Sequence, residues 1–219
     1  MNVYYWKIAG IRQMDLQPWT GIISEERLRR AKRFHQEKDR IRCLCAEILL
    51  RYGLAQAGVQ KQDIRFRYQQ SGKPFLEGNH LPYFSISHSG DYVMCAIASE
   101  EIGADVEQCT DIHSGLAKSV MTSAEYAHYL NLRPNMQNQY FFTVWTCKES
   151  VVKCIGTGLQ TPFPSIEIVT AGKKTQAVKD GKEIYHLWRI PLGGAYCSAV
   201  CMKHEKSVPK VIFVDTEQL

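Results

Sequence analysis

Apolar residues recur at two different periods along this chain, and the changes of period mark out its elements. Val3 to Ile8 is dominated by branched and aromatic residues and predicts a buried strand. Ser24, followed by Glu25 and Glu26, predicts an N-cap and acidic first turn for a basic helix. From there Ile41, Leu44, Cys45, Ile48, Leu49 and Tyr52 fall at helical spacing, so a core helix is expected, with Gly53 as an interruption. Ile64, Phe66 and Tyr68 alternate like a strand and are followed by a Gln-Gln-Ser-Gly turn, and Pro74 and Pro82 bracket a loop. Tyr83 to Ser87 and Tyr92 to Ser99 read as paired strands joined by His88-Ser89-Gly90-Asp91, and Ile102 to Val106 as another strand.

The second half runs in a similar order. Helices are expected over roughly Ser114 to Leu130 and Gln137 to Ile155, the latter stopping at Gly156. Strands are expected at Ile166 to Thr170, Glu183 to Ile190, Tyr196 to Met202 and Val211 to Val214. Aligning Gly53 with Gly156 superposes two helices, and aligning Tyr92 with Tyr196 superposes two apolar strands at almost the same offset, close to half the chain. That pattern points to an internal duplication. Two similar α/β halves are expected, 1–104 and 105–219, with Asp105 and Glu107 near the junction, where a cleft would favour a ligand.

Composition narrows the class. At 45% hydrophobic residues, 219 residues suffice for a packed core. No run approaches the roughly 20 apolar residues of a bilayer span, and Met1 to Gly10 lacks the pattern of a secretory leader, so no membrane association and a cytoplasmic location are expected. The eight cysteines show neither C-x-x-C knuckles nor histidines at zinc spacing and are read as buried thiols. The net charge of +5 is concentrated between Arg27 and Arg42, which carries eight basic residues and favours an acidic partner. An anionic cofactor and an acidic protein stand ahead of nucleic acid, because the stretch lacks the interleaved aromatics of single-strand binders. A solvated helix face is the other reading, since Glu25, Glu26, Glu37 and Asp39 dilute the patch.

Chemistry enters through two short acidic clusters. On a strand, Asp105 and Glu107 share one face; on a helix, Glu149 and Lys153 lie one turn apart on one face. If the two elements meet, three carboxylates and an ammonium suit a hard cation that bridges phosphate oxygens. The same residues would also serve as an ordinary helix pair and a solvated strand face.

The segments G-K-P at Gly72 to Pro74, F-S-I-S-H-S-G at Phe84 to Gly90, I-G-A-D-V-E at Ile102 to Glu107 and W-T-C-K-E-S-V-V-K at Trp145 to Lys153, in this order, resemble the Sfp-type 4′-phosphopantetheinyl transferases. The resemblance covers roughly residues 24 to 170. It implies a pseudo-twofold α+β fold with coenzyme A between two similar halves, and transfer of the phosphopantetheine arm to a serine of an apo acyl or peptidyl carrier protein with release of 3′,5′-ADP. It implies Mg²⁺ on Asp105, Glu107 and Glu149, and Lys153 reaching the pyrophosphate; Glu149 and Lys153 are the catalytic candidates, with the base open between Glu149, a metal-bound water and Lys153. Ser87 and His88 match phosphate contacts and Lys73 a loop lysine, while Arg27 and Arg30 stand at the 3′-phosphate positions and Arg42 at a nucleotide contact. The family docks its carrier near Cys109 to Thr122, where Ile112, Leu116, Val120 and Met121 are read either as that surface or as core. Trp145 is expected to pack behind the catalytic helix. A monomer is expected, since one chain supplies both halves. Two other functions remain open at this level: a non-catalytic coenzyme A or carrier binder, and a Mg²⁺-dependent phosphohydrolase.

Overall fold

The computed structural model describes residues 1–172, 174–193, 195–204 and 207–219. In chain order the elements are β1 (Asn2–Lys7), α1 (Glu25–Lys32), α2 (Glu37–Gln56), β2 (Phe66–Tyr68), β3 (Pro74–Leu76), β4 (Tyr83–Ser89), β5 (Tyr92–Ala98) and β6 (Ile102–Gln108). Then follow α3 (Ser114–Val120), α4 (Ser123–Asn131), α5 (Pro134–Ile155), β7 (Ile166–Ala171), β8 (Lys174–Lys179), β9 (Glu183–Arg189), β10 (Tyr196–Met202) and β11 (Lys210–Val214).

Two sheets form, ordered β11-β1-β5-β4 and β6-β10-β9-β8-β7, beside a small β2-β3 hairpin. The halves repeat one plan. β1 pairs antiparallel with β5 and β5 with β4; β6 pairs antiparallel with β10 and β10 with β9. In each half a long helix follows the first strand, α2 and α5 respectively. Strand alternation assigns the faces. Tyr4 and Trp6 of β1 pack under α2, whereas Val3 and Tyr5 meet Ile102, Ala104, Val106 and Val200 of the second sheet. On the far face of that sheet, Ala199 and Cys201 pack against Cys147 and Val151 of α5. The molecule is therefore layered helix, sheet, sheet, helix, a mixed α+β fold of two similar halves.

Several elements differ from the sequence expectation. Gly53 lies inside α2, which continues to Gln56; a Cβ there would come within 2.8 Å of Ile97 Cδ1, so this glycine is needed for close packing rather than termination. Gly156 does terminate α5, as a C-cap at φ +81°. The single helix expected over 114–130 is two, because the Thr122 hydroxyl accepts the Glu125 N–H while Glu125 accepts the Thr122 N–H, a capping box that starts α4 afresh. α5 begins at Pro134, whose missing N–H costs nothing in the first turn. Pro74 opens the short strand β3 rather than a loop. The expected four-residue hairpin loop is shorter, as β4 retains His88 and Ser89 and turns at Gly90-Asp91. β8 was not expected, because its K-T-Q-A-V-K sequence turns only small residues inward. All eight cysteines are free thiols, seven of them buried. Among the described residues no helix is long and apolar enough to cross a membrane.

Candidate functional site

The two sheets meet where β4 crosses the outer edge of β6. β6 has a sheet partner on one side only, so its outward N–H groups need acceptors. Serines at alternate positions of β4 supply them: Ser85 Oγ accepts the Ala104 N–H at 2.9 Å and Ser89 Oγ the Gln108 N–H at 3.1 Å. Between them, Ser87 Oγ donates to Asp105 Oδ1 at 2.7 Å. This stitching carries Asp105 and Glu107 to the junction between the halves.

α5 approaches the same strand closely. A Cβ at Gly103 would lie 1.8 Å from the Ser150 carbonyl oxygen, so only glycine admits the helix backbone this near. The consequence is that Lys153 Nζ sits 2.6 Å from Asp105 Oδ1 and 3.1 Å from Ser87 Oγ. Glu149, one turn earlier, lines the same cavity of about 470 Å³. The cavity also reaches Arg27, Arg30, Lys73, His88 and Trp145.

Electrostatically the site is short of positive charge at its floor. Asp105 is 2% exposed, and its Oδ2 is buried with no hydrogen-bond partner among the described residues. Burial and the neighbouring Asp105 push Glu107 up to about 7, against the pull of Ser89 and Lys153. Burial likewise raises Glu149, with Lys153 opposing and Asp105 reinforcing. For Lys153, burial works against the charged form, but Asp105, Glu149 and Glu107 together hold the ammonium above its ordinary range. Lys153 is therefore a fixed positive charge, unsuited to take up a proton. His88 is lowered to about 4, by burial first and then by Lys153, Arg42 and Arg27, so at neutral pH it offers a single ring N–H.

The sequence-expected residues divide by position. Asp105, Glu107, Glu149, Lys153, Ser87 and His88 converge on the cavity. Lys73 reaches it too, with Nζ 2.5 Å from Glu101 Oε2 and 3.3 Å from the Cys154 carbonyl, strapping the β2-β3 turn to the end of α5. Arg27 is buried at the wall, its Nε 3.6 Å from Glu47 Oε2, whereas Arg30 is exposed beside it. Arg42 lies outside the cavity lining: it donates to the Gly90 carbonyl at 3.0 Å and pairs with Asp39, bracing the β4-β5 turn. Trp145 packs against Phe141 and Phe163 and shows its remaining surface to the cavity. Of the docking candidates, Val120 and Met121 are core residues, while Leu116 is 40% exposed. Sequence reasoning gave Ser89 no role, yet its hydroxyl lies 2.6 Å from Glu107 Oε2; the Ser-x-Ser-x-Ser alternation of β4 was the available signal.

No group of three or more His, Cys, Asp or Glu among the described residues is closed around a metal-sized point. The donor set nevertheless fits a hard cation, because Asp105 Oδ2 is a buried acceptor with no donor among the described residues, and burial raises the two neighbouring carboxyls, a cost that a cation would offset.

Residues 101–201 match the 4′-phosphopantetheinyl transferase superfamily, and residues 12–101 match the N-terminal family of 4′-phosphopantetheinyl transferases. The chain is 31% identical to 4′-phosphopantetheinyl transferase Sfp of Bacillus subtilis (strain 168), over 97% of this chain and 99% of that one. It is 35% identical to 4′-phosphopantetheinyl transferase ffp of Bacillus subtilis, over 74% and 75% of the respective chains. A crystal structure of a holo-(acyl-carrier-protein) synthase from Bacillus anthracis in complex with coenzyme A overlaps 46% of this chain and 92% of its own, at 21% identity and a TM-score of 0.41.

Proposed function

The chain belongs to the 4′-phosphopantetheinyl transferase superfamily, and on that premise we propose that it moves the 4′-phosphopantetheine arm of coenzyme A onto a serine of an apo acyl or peptidyl carrier protein. The serine oxygen forms a bond to the phosphorus nearer the pantetheine, the bond from that phosphorus to the bridging oxygen breaks, and 3′,5′-ADP leaves. The serine proton goes to a base.

The observation that carries this reading is the crowding of Asp105, Glu107 and Glu149 around one lysine, in a cavity whose wall also carries Arg27, Arg30 and Lys73. Asp105, Glu107 and Glu149 would hold Mg²⁺, which supplies charge stabilisation at the pyrophosphate. Lys153, kept charged by those carboxylates, would neutralise the leaving 3′,5′-ADP. Neutral His88 and the Ser87 hydroxyl donate to phosphate oxygens, and Lys73 adds charge from the β2-β3 turn. Arg30, exposed beside the buried Arg27, takes the 3′-phosphate, with Arg27 behind it. Glu149 accepts the serine proton, directly or through a water, since burial has raised its basicity. Arg42 acts at one remove on the nucleotide, by fixing the β4-β5 turn.

Labour divides between the halves in this scheme: residues 1–104 supply the nucleotide and phosphate contacts, and 105–219 the metal site and the carrier surface around Leu116. One chain carries both, so the working unit is a monomer, and its eight free thiols accord with a reducing, cytoplasmic setting.

The test is intact-mass spectrometry of an apo carrier incubated with coenzyme A, Mg²⁺ and this protein. A gain of one phosphopantetheine group, absent when the carrier serine is replaced by alanine, is expected. Cleavage of coenzyme A with no gain on the carrier would identify a hydrolase instead.

A further inference from the structure

We propose that Ser89 is a positioning residue that holds Glu107 in the orientation a divalent cation requires. Its hydroxyl accepts the Gln108 N–H at 3.1 Å and lies 2.6 Å from Glu107 Oε2. A hydroxyl has one proton, and the backbone N–H already occupies a lone pair, so the proton is directed at the carboxylate. Ser89 is not part of the cavity lining; it acts through Glu107 alone.

The serine is itself held. Gly90, next in sequence, sits at φ +54°, and a Cβ there would come within 2.3 Å of Tyr196 Oη. The Asp91 N–H donates to the same Tyr196 oxygen at 2.9 Å, and Arg42 donates to the Gly90 carbonyl at 3.0 Å. The Tyr92 and Tyr196 rings pack edge to face at 4.8 Å. The turn carrying Ser89 is thus fixed from β10 on one side and α2 on the other.

Asp105 is treated in the same way two residues earlier. Ser87 and Lys153 both engage its Oδ1, while Oδ2 is left without a partner among the described residues. In each carboxylate a β4 serine binds one oxygen and leaves the second for a ligand. A glutamate has one more rotatable bond than an aspartate, so Glu107 is the residue for which losing this tether matters more. Removing a hydrogen-bond partner behind a metal ligand typically costs about 10-fold to 100-fold in metal affinity or activity.

The inference rests on the reading of Glu107 as a metal ligand, and the experiment separates the two. Mn²⁺ is titrated by electron paramagnetic resonance into the full chain without carrier or coenzyme A, for the native protein and for Ser89→Ala, Ser89→Thr, Tyr196→Phe and Glu107→Gln. 3′,5′-ADP binding without metal and the melting temperature are measured beside it. Ser89→Ala is expected to weaken Mn²⁺ about tenfold. Ser89→Thr, which keeps the hydroxyl on a strand that tolerates branching, should restore affinity to within about twofold of native. Tyr196→Phe loosens the turn without touching Ser89 and should give a smaller loss, and it keeps the proposal testable if Ser89→Ala does not fold. 3′,5′-ADP affinity is expected to be unchanged in all three. Native Mn²⁺ affinity in Ser89→Ala, or equal losses in the threonine and alanine variants at native melting temperature, would overturn the role of Ser89. Native Mn²⁺ affinity in Glu107→Gln would instead remove the ligand reading beneath it.

Discussion

Two buried carboxylate sites in this molecule have opposite electrostatic character. Glu47 of α2, 1% exposed, is fully compensated: Arg51 lies 2.7 Å from Oε1, Arg27 lies 3.6 Å from Oε2, and the Ser24 N–H and hydroxyl add bonds at 2.8 and 2.7 Å. Asp105, Glu107 and Glu149, in the matching half, share one lysine and keep a buried oxygen unpaired. Burial alone does not mark a functional group. Satisfied, it ties α1 to α2; unsatisfied, it leaves an affinity for something the chain does not itself contain. Glycine use differs in parallel. Gly53 lies on the helix α2 and admits side chains, while Gly103 lies on the strand β6 and admits the helix backbone, bringing Glu149 and Lys153 to bear.

The contrast makes measurable predictions. Glu47→Gln removes the counter-charge of the buried Arg27 and the half-buried Arg51 and should cost roughly 3–5 kcal/mol of stability, read as a fall in denaturation midpoint. Gly103→Ala forces α5 away from β6 and should cost about 3 kcal/mol by the same measurement, with transfer falling in whatever protein remains folded. Glu149→Gln reverses the pattern: transfer should fall about 100-fold or more, with a midpoint shift below about 0.5 kcal/mol, because burial already disfavours the charge that the substitution removes. Smallest is Arg30→Ala, an exposed wall charge, expected to weaken coenzyme A by several-fold and dephospho-coenzyme A, which lacks the 3′-phosphate, hardly at all. Equal weakening of both would move the 3′-phosphate elsewhere.

Much of this was legible in the sequence because it is local. The period of two puts Asp105 and Glu107 on one face, the spacing of four puts Glu149 and Lys153 on another, and both pairs reach the cavity. The similar order of the halves showed in the matching of α2 with α5 and β5 with β10, although the two glycines used to align them do different work. What escaped was non-local or masked by composition. Arg27 meets Glu47 across two helices, and Lys73 of the β2-β3 turn meets Glu101 of the β5-β6 connection, pairings no window reveals. Ser89 acquires its role only because the edges of two sheets cross. The break between α3 and α4 was detectable, since Thr122 and Glu125 stand at capping-box spacing, but the continuous polar-apolar pattern on either side concealed it.

The central claim is that the uncompensated carboxylates bind a cation on which transfer depends. It is tested most directly by following the mass of an apo carrier with coenzyme A, in the native protein and Glu149→Gln, first with the divalent cation chelated and then with Mg²⁺ restored. The account predicts a modified carrier only with native protein and free Mg²⁺, and little in the variant under either condition. Full modification by native protein under chelation, or by Glu149→Gln at the native rate, would contradict it.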